Sequence, residues 1–416
     1  MRLRRAAIPA AVAISAVLTL TVACGGGAQS EPGQISFATD KAAWEPQFEE
    51  VSDVADQQID TGLDFTGYSD AETYSAFIRQ SFRTRETPDM FTWHTGNELD
   101  DLVEQDLLEP TTEIWDKAVK NGDVPKDLRQ YFTVGQEQYC VPMNAAYWVM
   151  YYNTDIFEKH DLKPPKNWDD LIAIADELKA ADVTPFYQTN VLFSFVWFQT
   201  LLAGSDPDVY DALATGEAKY TDPAVVNAME MWGDMIDKGY FMDAGVETDP
   251  QTLLKNGDVA MINFGTFLSG QLNSVDMKAG EDYDFFVVPN VEPSLDQTVL
   301  PFETGPMCTP SNAANKEKSM EFGEWWMGEQ AQTAWANARG DVSFNPKAEV
   351  NDQDLAQLNE TAGKDYRLVN RYFEATPTPI LNTALDGFGD FVSNGGDPMR
   401  VLKPIQDEAD KYWSSE

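Results

Sequence analysis

Between residues 34 and 108 short apolar runs alternate with amphipathic stretches, and this alternation restricts the fold more than any other feature of the chain. QISFATD (34–40), GLDFTGY (62–68) and PDMFTWH (88–94) each read as a strand, rich in β-branched and aromatic residues and bounded by turn formers. AWEPQFEEVSDVADQ, TYSAFIRQSFRT and ELDDLVEQDLL follow them in turn with apolar residues at helical spacing. Strand, helix, strand, helix in this order predicts an α/β domain on a mostly parallel sheet, because parallel neighbours need a crossover between them. The chain has 416 residues, which is room for two such domains of about 100–200 residues each.

Past residue 137 the pattern changes. EQYCVPMNAAYWVMYYNTD (137–155) is a near-continuous apolar and aromatic run, the signature of a strand covered on both faces. Alternation puts Trp148, Met150 and Tyr152 on one face and Tyr147, Val149 and Tyr151 on the other. NWDDLIAIADELKAA then reads as a helix, with Asn167 as its cap and Asp169 and Asp170 in the first turn. Helical segments continue at 193–204 and 222–239, QTLLKNGDVAMINFG places a helix before a strand, and 282–291 reads as a further short strand. From 316 onward KEKSMEFGEWWMGEQAQTAWANA, DQDLAQLNETAG and DPMRVLKPIQDEADKYWSS are helical. Proline and glycine are spread evenly, so no single linker cuts the chain in two, and two lobes require more than one crossing between them.

The formal net charge is -40, from 69 acidic against 29 basic residues. Such a surface repels phosphates and anionic headgroups, which excludes nucleic acid and polybasic membrane docking as partners. The start, MRLRRAAIPAAVAISAVLTLTVACGGG, has basic residues, an apolar run and small residues before a cysteine, and reads as a signal peptide over 1–23. An uncleaved membrane anchor is the competing reading, since the run approaches the ~20 residues that span a bilayer. Thr21-Val22-Ala23-Cys24 resembles the lipobox of bacterial lipoproteins, with Thr21 standing where leucine is favoured, and the resemblance implies lipidation of Cys24. Residues 24–33 then form a flexible tether. Two cysteines remain, Cys140 and Cys308, either bonded in an oxidising compartment or buried as free thiols.

Catalytic patterns are missing. His94 and His160 are the only histidines, and no HExxH, GxSxG, P-loop, GxGxxG or CxxC pattern occurs. No metal and no cofactor is expected. Paired carboxylates of the glycosidase kind carry no information in so acidic a chain, and a secreted glycoside hydrolase stays open as an alternative.

The segment YCVPMNAAYWVMYYNTDIFEKHDLKPPKNWDDLIAIADELKAADVTPF (139–186) resembles the hallmark region of bacterial extracellular solute-binding proteins of the maltose-binding-protein-like kind. LLKNGDVAMINFG resembles the family's Gly-x-x-Ala-Met element, and SNAANKEKSMEFGEWWMGEQAQ its Asn-Lys-Glu helix and the one after it. The resemblance implies a two-lobed periplasmic-binding-protein-like α/β fold of type II, with lobe 1 at 34–141 plus 309–355 and lobe 2 at 142–308 plus 356–416. It places the first hinge crossing near Cys140–Asn144 and the return near 305–312, so that Cys140 and Cys308 lie on neighbouring strands and are expected to bond. It further implies a monomer that is no enzyme, held at the membrane by its lipid alone. That receptor captures a mono- or oligosaccharide and hands it to the permease of an ABC importer. A polyol, a betaine-like cation or a peptide is the alternative ligand on the same fold.

Sugars combine apolar faces with hydroxyl edges, so aromatic platforms flanked by polar side chains are the groups to seek. Ligands of open α/β sheets sit beyond strand ends. In lobe 1 this selects Asp40 and Trp44, Tyr68 and Asp70, and the Trp93-His94-Thr95-Gly96-Asn97 turn. For His94 alone, a satisfied structural histidine competes. In lobe 2 the resemblance points to Asn144 and Tyr147 past the crossing, and to Trp197 as the exposed member of a cluster with Phe193, Phe195 and Phe198. Phe264, Thr266 and Phe267 follow, then Glu303 beside Thr304; back in lobe 1, Trp335, Arg339 and Asp341 surround a helix end and a loop that lines the cleft in similar proteins. Trp168, Trp232, Trp325, Trp326 and Trp413 read as packing.

Overall fold

A computed structural model describes residues 33–414. The readings for the signal peptide, for Cys24 and for the tether up to residue 32 lie outside the described residues. In chain order the strands are β1 (Gln34–Thr39), β2 (Gly62–Gly67), β3 (Met90–Thr92), β4 (Thr133–Val134), β5 (Glu137–Gln138) and β6 (Val141–Pro142). They continue with β7 (Ala146–Asn153), β8 (Met261–Gly265), β9 (Tyr283–Phe286), β10 (Thr298–Glu303), β11 (Pro306–Cys308) and β12 (Tyr366–Asn370).

Two sheets organise the molecule. The first has the order β2-β1-β3-β11-β6, with β1 parallel to β2 and β3, and β11 antiparallel to both β3 and β6. The second has the order β12-β10-β7-β8. Along one edge of β7 lies β8, while β10 and β9 share the other, pairing at its start and its end. Partners on both edges take the backbone hydrogen bonds of β7, and packing on both faces accounts for the apolar run read from the sequence, for every residue of β7 is buried. Its alternation also holds: Trp148 points to Phe193, Phe264 and Phe267, whereas Tyr151 points to Tyr283, Phe285 and the Ser269 hydroxyl.

The chain leaves the first sheet after β6, returns to it between β10 and β11, and leaves it once more before β12. The first two passages run side by side. Met143 N donates to Gly305 O at 2.7 Å, Thr304 Oγ1 to Asn144 O at 2.8 Å, and Gly305 N to Asn144 Oδ1 at 3.3 Å. A disulfide joins Cys140 to Cys308 just beside this seam, with Cα atoms 4.2 Å apart and 168 positions between them in sequence. Cys140 has a positive φ of 63°, a conformation that favours glycine. Its carbonyl is fixed by the Thr111 hydroxyl at 2.7 Å and the Trp115 indole at 2.9 Å.

Several local expectations fall within a residue or two of the observed elements. Asn167 caps the helix Trp168–Ala180 by accepting from Asp170 N at 2.9 Å. The 316–338 run divides at Met327–Gly328 into Lys316–Trp326 and Glu329–Arg339. The third strand is shorter than read, ending at Thr92, so that Trp93 and His94 belong to the turn after it. A helix absent from the sequence reading runs over Thr378–Asn394; the proline in its first turn costs no helix hydrogen bond. This helix packs against Pro398–Trp413, while Phe388 and Phe391 of its buried stripe meet Trp232 of Pro223–Asp237 and Phe388 stacks on Phe198.

Candidate functional site

The carboxyl ends of β1 and β3 bring Asp40, Lys41 and His94 together. Thr92 Oγ1 donates to Asp40 Oδ1 at 3.1 Å, and Lys41 pairs with the same carboxylate. Burial alone would raise the Asp40 carboxyl, but Lys41, His94 and the Thr92 hydroxyl outweigh it and hold it below its ordinary range. His94 is pushed down: burial and Lys41 lower it against the pull of Asp40, Glu98 and Glu374. Trp93 is inner wall rather than surface. Its indole donates to Glu98 O at 2.9 Å, and the Arg79 guanidinium sits 5.5 Å over its ring while pairing with Glu98.

Trp44 is the half-buried platform of this side. Arg339 stacks on it with the guanidinium 3.8 Å from the ring centroid, and Trp335 meets it edge-on at 6.1 Å. Trp335 itself is 1% exposed, wedged between Phe48 and Trp326, so it backs the platform. The helix Glu329–Arg339 that carries both residues packs on Glu45–Ile59, which begins right after Trp44.

The floor comes from the second sheet. Glu303 ends β10, where Trp148 Nε1 donates to Glu303 Oε2 at 3.3 Å and the Arg371 guanidinium pairs with that carboxylate. Arg371 Nε also donates to Glu374 Oε2 at 2.6 Å, and the guanidinium lies 5.4 Å from the Trp148 ring and 5.3 Å from Phe373. Burial pushes the Glu303 carboxyl up to about 7 against the attraction of Arg371, with Glu374 and Asp341 adding repulsion. Arg371 stays charged, since two carboxylates offset its burial. Asp341, also buried, rises to about 6 although Arg339, the Thr266 side chain and Val342 N–H favour its anion. Thr266 Oγ1 in turn accepts from Tyr147 N at 3.1 Å, which ties Asp341 to the start of β7. Around Trp148, Phe264, Phe267, Phe193 and Phe195 form an aromatic box with ring centroids 5.6 to 6.2 Å away.

Of the sequence-selected residues, the structure brings Asp40, Trp44, His94, Thr266, Phe264, Phe267, Glu303, Arg339 and Asp341 close to one another through the contacts above. Others have structural employment. Asp70 is exposed and caps the helix Ala71–Thr84 by accepting from Thr73 N at 2.7 Å. Tyr68 stacks on Phe77 at 5.0 Å, and Asn97 Nδ2 reaches Tyr412 OH at 2.7 Å. Asn144 is engaged in the crossing, and Tyr147 is buried in β7. Trp197, expected to be exposed, is buried, and its indole donates to Tyr187 O at 3.0 Å because the helix Val196–Ser205 is apolar all round. The reading passed over Lys41, Trp148 as a cleft group, Arg371, Phe373 and Glu374. The strand-end rule that found Asp40 also applies to the end of β12, but β12 was not visible as a strand.

Among the described residues no group of three or more His, Cys, Asp or Glu side chains is placed to hold a metal ion. Among them, too, no helix is long and apolar enough to cross a membrane. The profile of the family described as bacterial extracellular solute-binding protein matches residues 35–333. An uncharacterized ABC transporter extracellular-binding protein of Pyrococcus horikoshii is 28% identical over 304 residues, covering 70% of this chain and 67% of its own length. The sn-glycerol-3-phosphate-binding periplasmic protein UgpB of Brucella abortus is 24% identical over 242 residues, 55% of either chain. In fold, the chain is similar to the bacterial solute receptor AcbH, which has an exclusive preference for β-D-galactopyranose. That likeness has a TM-score of 0.79 at 18% identity, over 92% of this chain and 100% of the other. A chitin oligosaccharide binding protein is similar at a TM-score of 0.76 and 17% identity, over 92% and 100%. By the extent of the profile match, and with a two-lobed architecture to accompany it, this chain belongs to the bacterial extracellular solute-binding protein family.

Proposed function

We propose that the protein is the substrate-binding lipoprotein of an ABC importer, which holds a neutral sugar between lobes drawn at 34–141 plus 309–355 and 142–308 plus 356–416. One observation supports this reading: Arg339, stacked on the partly buried Trp44, feels the charges of the buried Asp341 and Glu303, and Glu303 accepts from Trp148 inside its aromatic cluster, so groups of both sheets meet in one place. Stacking on such a ring adds about 0.5–1.5 kcal/mol beyond area burial. A hydroxyl bonded to a charged group adds about 1.5–3 kcal/mol, so a few contacts of each kind reach micromolar affinity, about -8 kcal/mol.

Charge favours a neutral guest over a phosphate ester. The carboxylates Asp40, Glu98, Glu303, Asp341 and Glu374 already match or exceed the cations Lys41, Arg79, Arg339 and Arg371. A dianion would add to that surplus. Closure follows when the guest touches both lobes, because only differential contact shifts an open-closed equilibrium. Cys24 is the lipid-bearing residue after removal of 1–23, residues 24–33 are the tether, and the monomer is anchored outside the cytoplasm by lipid alone. Its acidic surface meets the permease.

Thermal unfolding over a panel of galactose, glucose, chito-oligosaccharides, malto-oligosaccharides and sn-glycerol 3-phosphate tests the reading. A ligand at 100 times its Kd adds about 2.7 kcal/mol of stability. A response to the phosphate ester alone overturns the neutral-sugar assignment, and release of reducing ends from an oligosaccharide overturns the receptor assignment. Incorporation of labelled fatty acid that survives Cys24→Ala removes the lipid-anchor proposal.

A further inference from the structure

One rim of the second sheet runs, in strand order, from Arg371 after β12 through Glu303 at the end of β10 and Tyr147 in β7 to Thr266 after β8. The lobe of the first sheet touches what lies beyond both ends of this row. Past β8 the contact is through backbone, where Gly270 stands against Arg339 and Gly340. Past β12 it is through side chains. Thr378 Oγ1 donates to Glu98 Oε1 at 2.9 Å, and Asn97 Nδ2 donates to Tyr412 OH at 2.7 Å.

Both bonds join the two lobes. Asn97 and Glu98 open the helix Asn97–Glu104, which follows β3 of the first sheet. Thr378 opens the helix Thr378–Asn394, whose Phe388 stacks on Phe198 of Val196–Ser205, a helix packed on β8 and β10. Tyr412 stands in the last turn of Pro398–Trp413, packed on Thr378–Asn394. The partners are 280 and 315 positions apart in sequence, so only the docking of one lobe on the other brings them together.

The groups of the first bond are held in place before they meet. The second carboxylate oxygen of Glu98 pairs with Arg79, whose guanidinium covers the Trp93 ring at 5.5 Å, and the Glu98 carbonyl accepts from the Trp93 indole. Thr378 lies between Pro377 and Pro379, whose rings fix the backbone on either side. Groups so confined lose little further freedom on bonding. Glu98 also brings a negative charge to the start of Thr378–Asn394, where the first N–H groups of a helix favour one.

We infer that Asn97, Glu98, Thr378 and Tyr412 form a clasp that holds the lobes in the arrangement seen here by protein contacts alone, at one flank of the row from Arg371 to Thr266. Its contribution is the same whatever solute lies between the lobes. Asn97, chosen from the sequence as a guest contact, is instead a lobe contact. A side-chain hydrogen bond is lost by about 3.6 Å, so a lobe rotation that parts these partners by about 1 Å removes both bonds. The arrangement seen here therefore gains population by about tenfold over one without the clasp, the low end for one charge-assisted and one neutral bond at a partly exposed place. This inference rests on the two-lobed architecture and not on the sugar reading.

The test is small-angle scattering and calorimetry on the full mature chain and on Thr378→Val combined with Tyr412→Phe, which removes two hydroxyl groups and nearly keeps the side-chain shapes. With no solute added, the wild type is expected to scatter as the arrangement seen here does, and the double variant to show a larger radius of gyration. Thr383→Val, on the same helix but with its hydroxyl turned to the Pro379 carbonyl, is the control and should scatter like the wild type. Galactose, maltose and chitobiose are the calorimetric probes, and every one that binds is expected to bind the double variant about tenfold more weakly, by one common factor. Identical scattering of double variant and wild type, with or without a lower Tm, would overturn the inference. So would losses that differ severalfold between two sugars, since these residues would then be guest contacts. The scattering arm uses no sugar and stays decisive if none of the three binds, which would count against the sugar reading alone. Should the double variant fail to fold, Tyr412→Phe by itself gives the same comparison.

Discussion

Replacing Gly270 by alanine adds one methyl group at a place where elements of the two lobes touch. Gly270 lies in the helix Leu268–Ser274, which follows β8 of the second sheet, and it faces the end of Glu329–Arg339, a helix packed on the first sheet's lobe. A Cβ built on Gly270 would stand 2.3 Å from the Arg339 carbonyl oxygen and 3.7 Å from Gly340 Cα. Ordinary contact begins at 3.4 Å, so the two backbones must part by about 1 Å. No flexible side-chain tip is available to yield, and Gly340 is itself held at a φ of +60°. Overpacking of this kind costs about 1–3 kcal/mol. A shift of the lobes that parts these backbones relieves the clash, so the arrangement seen here loses about 5–150-fold in population, and the apparent affinity for a ligand that requires it falls by the same factor. The sign separates this effect from a local one, because alanine for glycine in a helix should otherwise stabilise by about 1 kcal/mol. Small-angle scattering and calorimetry with the best sugar of the panel measure both quantities. Gly363→Ala, with nothing within 4 Å of the new methyl, is the control. Unchanged affinity and unchanged scattering in Gly270→Ala would refute the reasoning.

Removing the disulfide as Cys140→Ala with Cys308→Ala opens a 168-residue loop, which by chain entropy is worth about 5 kcal/mol, and urea unfolding should show a loss of that order. An unmoved midpoint would mean that the unfolded chain is already constrained there. Glu303→Gln tests the buried carboxyl through pH. Its pKa is raised in the folded state from 4.5 to about 7, so its favourable contribution is complete below about 4.5 and disappears as pH rises through 7. The wild type should therefore lose stability relative to Glu303→Gln across that window, and parallel thermal profiles would contradict the assignment. Trp44→Ala should weaken sugar binding about tenfold or more, beyond what its loss of packing against the core explains; a fall in Tm with unchanged affinity in the folded variant would make it a packing residue.

How much of the site could be read from the chain divides along a physical line. The strand ends gave Asp40 and Trp44 because a turn after a parallel strand faces the ligand side whatever surrounds it. Trp197 and Trp335 were chosen by the same chemistry and are buried, because an aromatic ring serves equally well as core or as platform and its own neighbours in sequence do not decide between them. Arg371 and Glu374 were overlooked for a related reason. Their meaning comes from Glu303, a residue that adjoins them only after β10 pairs with β12.

By itself the sequence determined the local events: which segments extend or coil, where Asn167 starts a helix, and that β7 must be covered on both faces. Those follow from periodicity and from hydrogen bonds made within a few residues. Tertiary structure alone decided which aromatics pack around Trp148 and which carboxyls are buried enough to change their ionisation. Each of these depends on desolvation and contact between residues far apart in the chain, and no short-range pattern encodes the distance between them.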